Sequence, residues 1–404
     1  MSVRDGGENV DLFEPLLVSA AADARSKLND LVLSLAEKSA AFSASVPASI
    51  IEPLVKLVRI ANCHYSNLME GHNLHPIAIE RAMDADYSDD KDERDLQLEA
   101  RAHIVVQNWL DDNGRDAAPF STRMICETHK RFYELLPRDL LLVQAMNSDE
   151  KLIVEPGAVR TSDVRVGRHV AISPGSVPRF LEHMEQGYSS VGRIDEVLIS
   201  ACGHHRLLWV HPFLDGNGRV ARLLSHAALR SALRTRGLWS VARALARRKK
   251  EYRALLQSCD EPLRSSGNDR GALSEKTLEN FTEFFLETCI AEVDFMSGLM
   301  EPRTLQSRVL TWAREEMQAG TLPPRSEAVL MAILYRGKLD RAEIPSLVGT
   351  SERSARRLTA ALIKFGVAQS ETSRTPLSLA LPVGPASRFL PGLFREMGCR
   401  DLDR

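Results

Sequence analysis

"HPFLDGNGRVAR", His211 to Arg222, sets a histidine, a carboxylate, two glycines around an asparagine and two arginines within twelve residues. Residues this charged and this flexible do not build a core. The apolar pattern that follows, "RVARLLSHAALRSAL", predicts a helix, so the stretch reads as a loop that opens one. Gly216 and Gly218 allow backbone conformations closed to other residues and let a ligand approach the main chain. Free N–H groups at a helix N-terminus then make an anion site. Arg219 and Arg222 fall in the first turn, three apart, and share a face. Cations there oppose the helix dipole, which points to an anion between the two guanidiniums. The planar donor fork of arginine matches phosphate oxygens in pairs.

Asp215 would repel a phosphate unless a cation lay between them. Mg²⁺ suits the place, because it is commonly held by one or two carboxylates together with substrate phosphates. His211, at the mouth of the loop, has the chemistry to take a proton from an incoming hydroxyl. The residues alone thus point to a Mg²⁺-dependent phosphoanhydride site with a histidine base. A glycine-rich surface turn is the plain alternative, and it would suffice for a lone GNG.

The stretch resembles the Fic motif HxFx(D/E)GNGRxxR and satisfies every specified position. "PGAVRTSDVRVG", Pro156 to Gly167, is similar to the hairpin, or flap, that aligns target segments in that family. "MICETHKRFYELL", from Met124, resembles an upstream helix, and together these cover roughly residues 95–300. The resemblance implies a mainly α, Fic-type helical core with a small β-hairpin flap. It also implies transfer of AMP from ATP to a Ser, Thr or Tyr hydroxyl of a protein target or of the chain itself. In those terms His211 would deprotonate the hydroxyl, Phe213 would pack under the loop, and Asp215 would hold Mg²⁺. Gly216, Asn217 and Gly218 would bind phosphate oxygens, and Arg219 and Arg222 the β- and γ-phosphates.

"SNLMEG", Ser66 to Gly71, resembles the Fic inhibitory motif (S/T)xxxE(G/N). Ser66 and Glu70 are four apart and share a helical face. The resemblance implies that Glu70 pairs with Arg222 and removes the anchor of the γ-phosphate. The same glutamate could orient a water for removal of AMP, which the sequence leaves open.

Further residues have weaker readings. Tyr252 in "KKEYRALLQSC" either contacts the adenine or packs in the core. Arg160 and Thr161 in the flap could meet a target backbone, and the flap could add a strand to a target segment. His204 and His205 fit no standard zinc spacing, and a metal role is rejected. "ARRKKEYR" reads as a solvated helix face.

Elsewhere the chain reads as helices at 15–42, 54–70 (stopped by Gly71), 94–110 and 122–136, and Pro47 and Pro53 punctuate the N-terminal part. After the Gly and Pro break at "GTLPPRSEAV" come three short helical patterns and an alternating "VAQSETSRTPLSLALP". That order predicts a winged helix-turn-helix. "SERSARRLTAALIK" would be its recognition helix, with Arg353, Arg356, Arg357 and Lys364 available to DNA phosphates or bases. Protein docking is an equal use of such a module. The expected domains are 1–94 with an inhibitory helix at about 58–71, a core at 95–300, and 301–404 for the winged helix and tail.

The chain has 404 residues, 44% hydrophobic and 26% charged, with a net charge of -2. This is ordinary for a globular protein and gives no global pull toward nucleic acid or anionic membrane. No apolar run approaches a membrane span, and no secretion signal is seen at the start. Six scattered cysteines, Cys63, Cys126, Cys202, Cys259, Cys289 and Cys399, read as reduced, mostly buried thiols of a cytoplasmic protein. Homodimerisation is common in similar proteins. A nucleotide-sensing DNA-binding regulator, or transfer from another donor, is the alternative function.

Overall fold

The computed structural model describes residues 3–113, 118–146, 149–261 and 273–394. The chain divides into two compact units, residues 1–40 with 62–293 and residues 41–61 with 294–404. Cys399 and the end of the expected tail lie outside the described residues.

The larger unit is helical because its apolar residues recur at helical spacing and its helix ends are capped. Ser121 caps the helix Thr122–Tyr133 by accepting from the Met124 N–H at 3.3 Å. The helix Ala48–Glu70 ends at Gly71, whose φ of 95° is left-handed. The Gly71 N–H reaches the Leu68 carbonyl and the His72 N–H the Asn67 carbonyl, the paired bonds of a Schellman ending. That ending places Glu70 in the last helical turn.

Two helices form the centre, Arg193–Val210 and Asn217–Leu233, joined by the loop 211–216. The core around them is built from Phe180, Leu181, Leu207, Val210, Phe213, Val220 and Leu224. Phe120 packs against the backbone of Gly203 so closely that a Cβ there would lie 2.9 Å from its ring. The helix Lys91–Asn113 lies along the motif helix, and Val177–Gly187 packs on Arg193–Val210.

Two antiparallel hairpins interrupt the helices. One pairs Leu142–Gln144 with Lys151–Ile153, and the other, in the flap, pairs Arg165–Val166 with His169–Val170. The first was not expected from sequence as a separate hairpin.

The expected helix at 15–42 begins only at Arg25. Residues before it run through bends and turns: Leu16 is buried, the Ala22 N–H donates to the Ser19 carbonyl, and the Val18 carbonyl accepts from Arg25 Nη1 at 2.7 Å. Apolar spacing there serves a strap packed on the core rather than a helix. Pro53 does not break its helix, which begins at Ala48. So near the N-terminal end the proline forfeits only the hydrogen bond to the Ser49 carbonyl.

The smaller unit contains the helices Pro302–Gln318, Ser326–Arg336, Ile344–Val348 and Glu352–Lys364. A three-stranded antiparallel sheet follows, with Leu377–Leu379 between Lys338–Leu339 and Ala368–Gln369. Val329, Ile333, Leu358, Leu362 and Leu377 are its buried centre. Arg353, Arg356, Arg357 and Lys364 are exposed on the helix Glu352–Lys364, and Arg356 pairs with Glu352 at 3.2 Å.

Candidate active site

The loop 211–216 is held from both sides. His211 caps the helix Arg193–Val210 in a left-handed conformation, φ 50°, and its N–H donates to the Leu207 carbonyl at 3.0 Å. Histidine is among the few side chains that visit this region. Its carbonyl accepts from Arg160 Nε at 2.7 Å. The same guanidinium donates to the Ile172 carbonyl at 2.6 Å and the Ser162 carbonyl at 3.0 Å, while the Arg160 N–H donates to the Pro212 carbonyl at 2.8 Å. Arg160 is only 2% exposed. The expectation that it meets a target is therefore corrected: its donors are spent on backbone carbonyls of the flap and on that of His211. Its neighbour Thr161 is exposed.

His211 Nδ1 lies 3.1 Å from the Leu208 carbonyl, so this nitrogen carries the hydrogen and Nε2 keeps its lone pair. Burial pushes the imidazole pKa down to about 4, against the pull of that carbonyl, and Arg160 and His169 push the same way. The ring is thus neutral at pH 7 and able to accept a proton.

Phe213 is fully buried and stacks on His129, with centroids 3.8 Å apart and planes 9° apart. His129 in turn stacks on Tyr133 at 4.4 Å. Tyr133 donates its hydroxyl to Asp215 Oδ2 at 2.7 Å, which orients an otherwise exposed carboxylate. Gly216 is left-handed, φ 80°, and a Cβ there would meet the Tyr133 hydroxyl at 2.7 Å. Glycine is required both by the turn and by the ring above it.

The Asn217 side chain is committed to the loop itself. It accepts from the Phe213 N–H at 3.0 Å and donates to the Phe213 carbonyl at 2.8 Å. That amide closes the loop on itself, so only the backbone N–H of Asn217 remains for a phosphate. The first N–H groups of the helix Asn217–Leu233 have no intrahelical acceptor, and the first backbone bond there runs from Val220 to the Gly216 carbonyl at 2.9 Å.

Both motif arginines are buried. Arg222 Nε donates to Ser66 Oγ at 2.9 Å, and Nη2 donates to the Ser66 carbonyl at 3.2 Å and to Glu70 Oε1. Burial raises the Glu70 pKa, but Arg222 overcomes this and the net shift is downward, so the carboxylate is ionised. A Cβ at Gly218 would lie 2.6 Å from Glu70 Oε1 and 3.0 Å from Arg222 Nη1. The absent side chain leaves the space that this carboxylate occupies. Arg219 lies over the Phe132 ring at 5.2 Å and pairs with Glu99 at 3.2 Å.

A polar seam of three helices runs beneath the arginines. Asn62, Ser66 and Glu70 recur every fourth residue on one helix, and Glu99, His103, Gln107 and Asp111 do so on another. Asn62 donates to Gln107 at 3.0 Å, and Asp111 pairs with His226 at 3.0 Å and Arg230 at 3.2 Å. The seam residues Asn62, Ser66, His103, Gln107 and Asp111 are buried. Sequence reasoning missed Tyr133, His129, Glu99 and this seam. The fourfold spacing from Glu99 to Asp111 is the signal that could have found it.

Of the two readings of Tyr252, the structure has the core residue. It is 4% exposed, its hydroxyl lies 2.6 Å from His204 Nε2, and its ring packs on Phe281. His204 Nδ1 meets Ser225 and His205 meets Asp260, so both histidines are engaged within the fold. Beside His211 a cavity of about 510 Å³ opens between the flap, at Val166 to His169, and Arg253 and Gln257. This is ample for a small ligand.

A family model described as "Fic/DOC family" matches residues 119–229. The chain is 30% identical over 128 residues to "Protein adenylyltransferase Fic" of Drosophila erecta, an alignment covering 31% of this chain and 25% of that protein. It is 44% identical over 73 residues to "Protein adenylyltransferase fic-1" of Caenorhabditis elegans, covering 18% and 14%. The chain thus spans about a quarter or less of the length of these curated relatives. Among solved structures, a Fic family protein from Desulfovibrio desulfuricans G20 superposes with a TM-score of 0.52 at 16% identity, over 90% of this chain and 98% of that one. Fic-1 from C. elegans gives 0.50 at 16% identity over 68% and 73%, and at these identities the likeness is one of fold. Residues 119–229 of the chain therefore form a Fic/DOC domain.

Proposed function

We propose that this protein transfers AMP from ATP to a Ser, Thr or Tyr hydroxyl of a protein target, and that Glu70 holds it inactive until displaced. The observation that carries the reading is a neutral His211, its Nε2 not engaged by Leu208, in the loop that leads into a helix N-terminus whose two arginines are buried. The target oxygen attacks the α-phosphorus, its proton passes to His211 Nε2, and the bond to the β-phosphate oxygen breaks with pyrophosphate as the leaving group. Arg160 fixes the histidine, and the N–H groups of Asn217, Gly218 and Arg219 offer donors to phosphate oxygens.

Asp215 fits a hard cation. It is an exposed, oriented carboxylate, and among the described residues no cluster of three or more His, Cys, Asp or Glu forms a protein cage. Mg²⁺ typically takes one carboxylate and several phosphate oxygens, and there it would neutralise the charge on the leaving pyrophosphate.

Inhibition follows from competition for Arg222. With Glu70 on its guanidinium, a γ-phosphate loses that donor and the α-phosphorus is left out of line with the hydroxyl. The element order of the smaller unit supports a winged helix whose exposed arginines serve DNA or protein docking. Self-modification, a homodimer and a cytoplasmic location remain parts of the same reading. Among the described residues no helix is long and apolar enough to cross a membrane.

The test is ATP labelled at the α-phosphate, with Mg²⁺ and a cell lysate, given to wild type, Glu70→Gly, and Glu70→Gly with His211→Ala. Label on protein with Glu70→Gly, weak with wild type and lost with the double variant, is the expected result. No label from a folded, ATP-binding Glu70→Gly protein would overturn the assignment. Label from the γ-phosphate instead would make it a phosphate transfer.

A further inference from the structure

Arg219 stands in the first turn of the motif helix, where the dipole disfavours a cation, and it is only 5% exposed. An arginine there needs a counter-charge from another element, and Glu99, on the helix Lys91–Asn113, supplies it. Glu99 Oε2 accepts from Arg219 Nη2 at 3.2 Å and from His72 Nδ1 at 2.7 Å. The carboxylate is itself buried, and Phe132 supports the guanidinium from its ring face. Burial lowers the Arg219 pKa, but Glu99 overcomes this and keeps it high, while hydrogen bonding to Glu99 raises that of His72.

Two facts separate this pair from ordinary structural pairing. Arg219 Nε is buried and has no hydrogen-bond partner among the described residues, so the guanidinium has donor capacity to spare. His72 lies two residues after Glu70, so one carboxylate joins the motif helix to the end of the inhibitory helix.

We propose that Glu99 is a positioning residue: it holds the Arg219 guanidinium in the orientation that receives nucleotide phosphate, and through His72 it ties the end of the inhibitory helix to the same point. The proposal rests on the nucleotide-transfer reading above. Arginine has many rotamers, and immobilising them in advance removes a cost that ATP would otherwise bear on binding. A glutamine at 99 gives up the counter-charge but keeps one acceptor oxygen for the guanidinium, so it retains more of the effect than alanine.

The experiment uses the full chain in the Glu70→Gly background, where Arg222 is free. Glu99→Ala is expected to raise the KM for ATP at least about tenfold, the size of one charge-assisted hydrogen bond, with the KM for the protein target unchanged. Glu99→Gln should stay within about threefold of the parent. Calorimetric binding of ATP to the same variants carrying His211→Ala should show the same order without turnover. If Glu99→Ala fails to fold, Glu99→Gln decides: a tenfold loss there overturns the geometric role. Equal or tighter ATP binding by Glu99→Ala would overturn the proposal outright. A parent that binds no ATP would instead sink the transfer reading on which the proposal rests.

Discussion

Arg160→Met separates a positioning role from a target contact. The substitution keeps most of the buried aliphatic stem but deletes donors to the carbonyls of His211, Ser162 and Ile172, at 2.7, 3.0 and 2.6 Å. Charge-assisted bonds of this kind contribute about 1.5–3 kcal/mol each, so the three set a ceiling near ~9 kcal/mol. Part of that is offset, because burial of the guanidinium is itself unfavourable and pulls its pKa down to about 10. A net loss of about 3–5 kcal/mol is expected, a large share of what holds a domain folded. Urea unfolding followed by circular dichroism measures it. The chemistry should suffer as well, since the His211 carbonyl is one of the atoms released. A misplacement of about 1 Å can cost about a hundredfold in rate, so transfer at saturating ATP and target should fall by that order. A loss below about 1 kcal/mol, with a raised KM for the target and an unchanged rate at saturation, would refute this account. Arg160 would then be a target contact after all.

Three other outcomes follow from the same geometry. Gly216→Ala combines a φ of 80° with a Cβ 2.7 Å from the Tyr133 hydroxyl, and should lower stability by about 2 kcal/mol or more and abolish transfer; a variant as stable as wild type would mean that Tyr133 does not pack there. Tyr252→Phe should cost about 1 kcal/mol through the lost His204 contact, read by urea unfolding, and an unchanged stability would mean that the hydroxyl is not bonded in the core. Burial lowers the pKa of His103 and His204 to about 3 and of His129 to about 4, from 6.5. Their stabilising contribution is complete above pH 6.5, where the unfolded chain is also neutral, and is lost as the pH falls toward 4. Each should add about 1.4 kcal/mol per pH unit to the slope of unfolding free energy in that window, and a flat profile between pH 6.5 and 4.5 would contradict their burial.

What could be read from the sequence was largely what is contiguous. His211, Asp215, Gly216 and the two arginines lie in one loop and one helical turn, so their spacing alone encodes their convergence. Glu70 was legible because its motif also spans one turn. Tyr133 and Glu99 reach the same place from separate helices, and local spacing carries no trace of which helix will face which. Arg160 was misread, and Tyr252 left open between two places, for a different reason: nothing in an arginine or a tyrosine declares whether it will be buried. The strap before Arg25 has the apolar spacing of a helix, yet burial of Leu16 and the Arg25 bond to the Val18 carbonyl hold it in bends and turns. The strand Lys338–Leu339 is two residues long and exists only because Leu377–Leu379 lies beside it.

The seam beneath the arginines makes length, rather than composition, the guarded property of the inhibitory helix. Asn62 meets Gln107 and Ser66 meets Arg222 at intervals of one turn, and Glu70 completes the series. A single inserted residue between Asn62 and Glu70 would turn everything beyond it by about 100° and advance it about 1.5 Å. Glu70 would then leave Arg222 with every side chain still present. Substitutions along this segment test one contact at a time, whereas an insertion or deletion shifts the whole series out of phase, so the distance from Asn62 to Glu70 acts as a fixed gauge for the contact with Arg222.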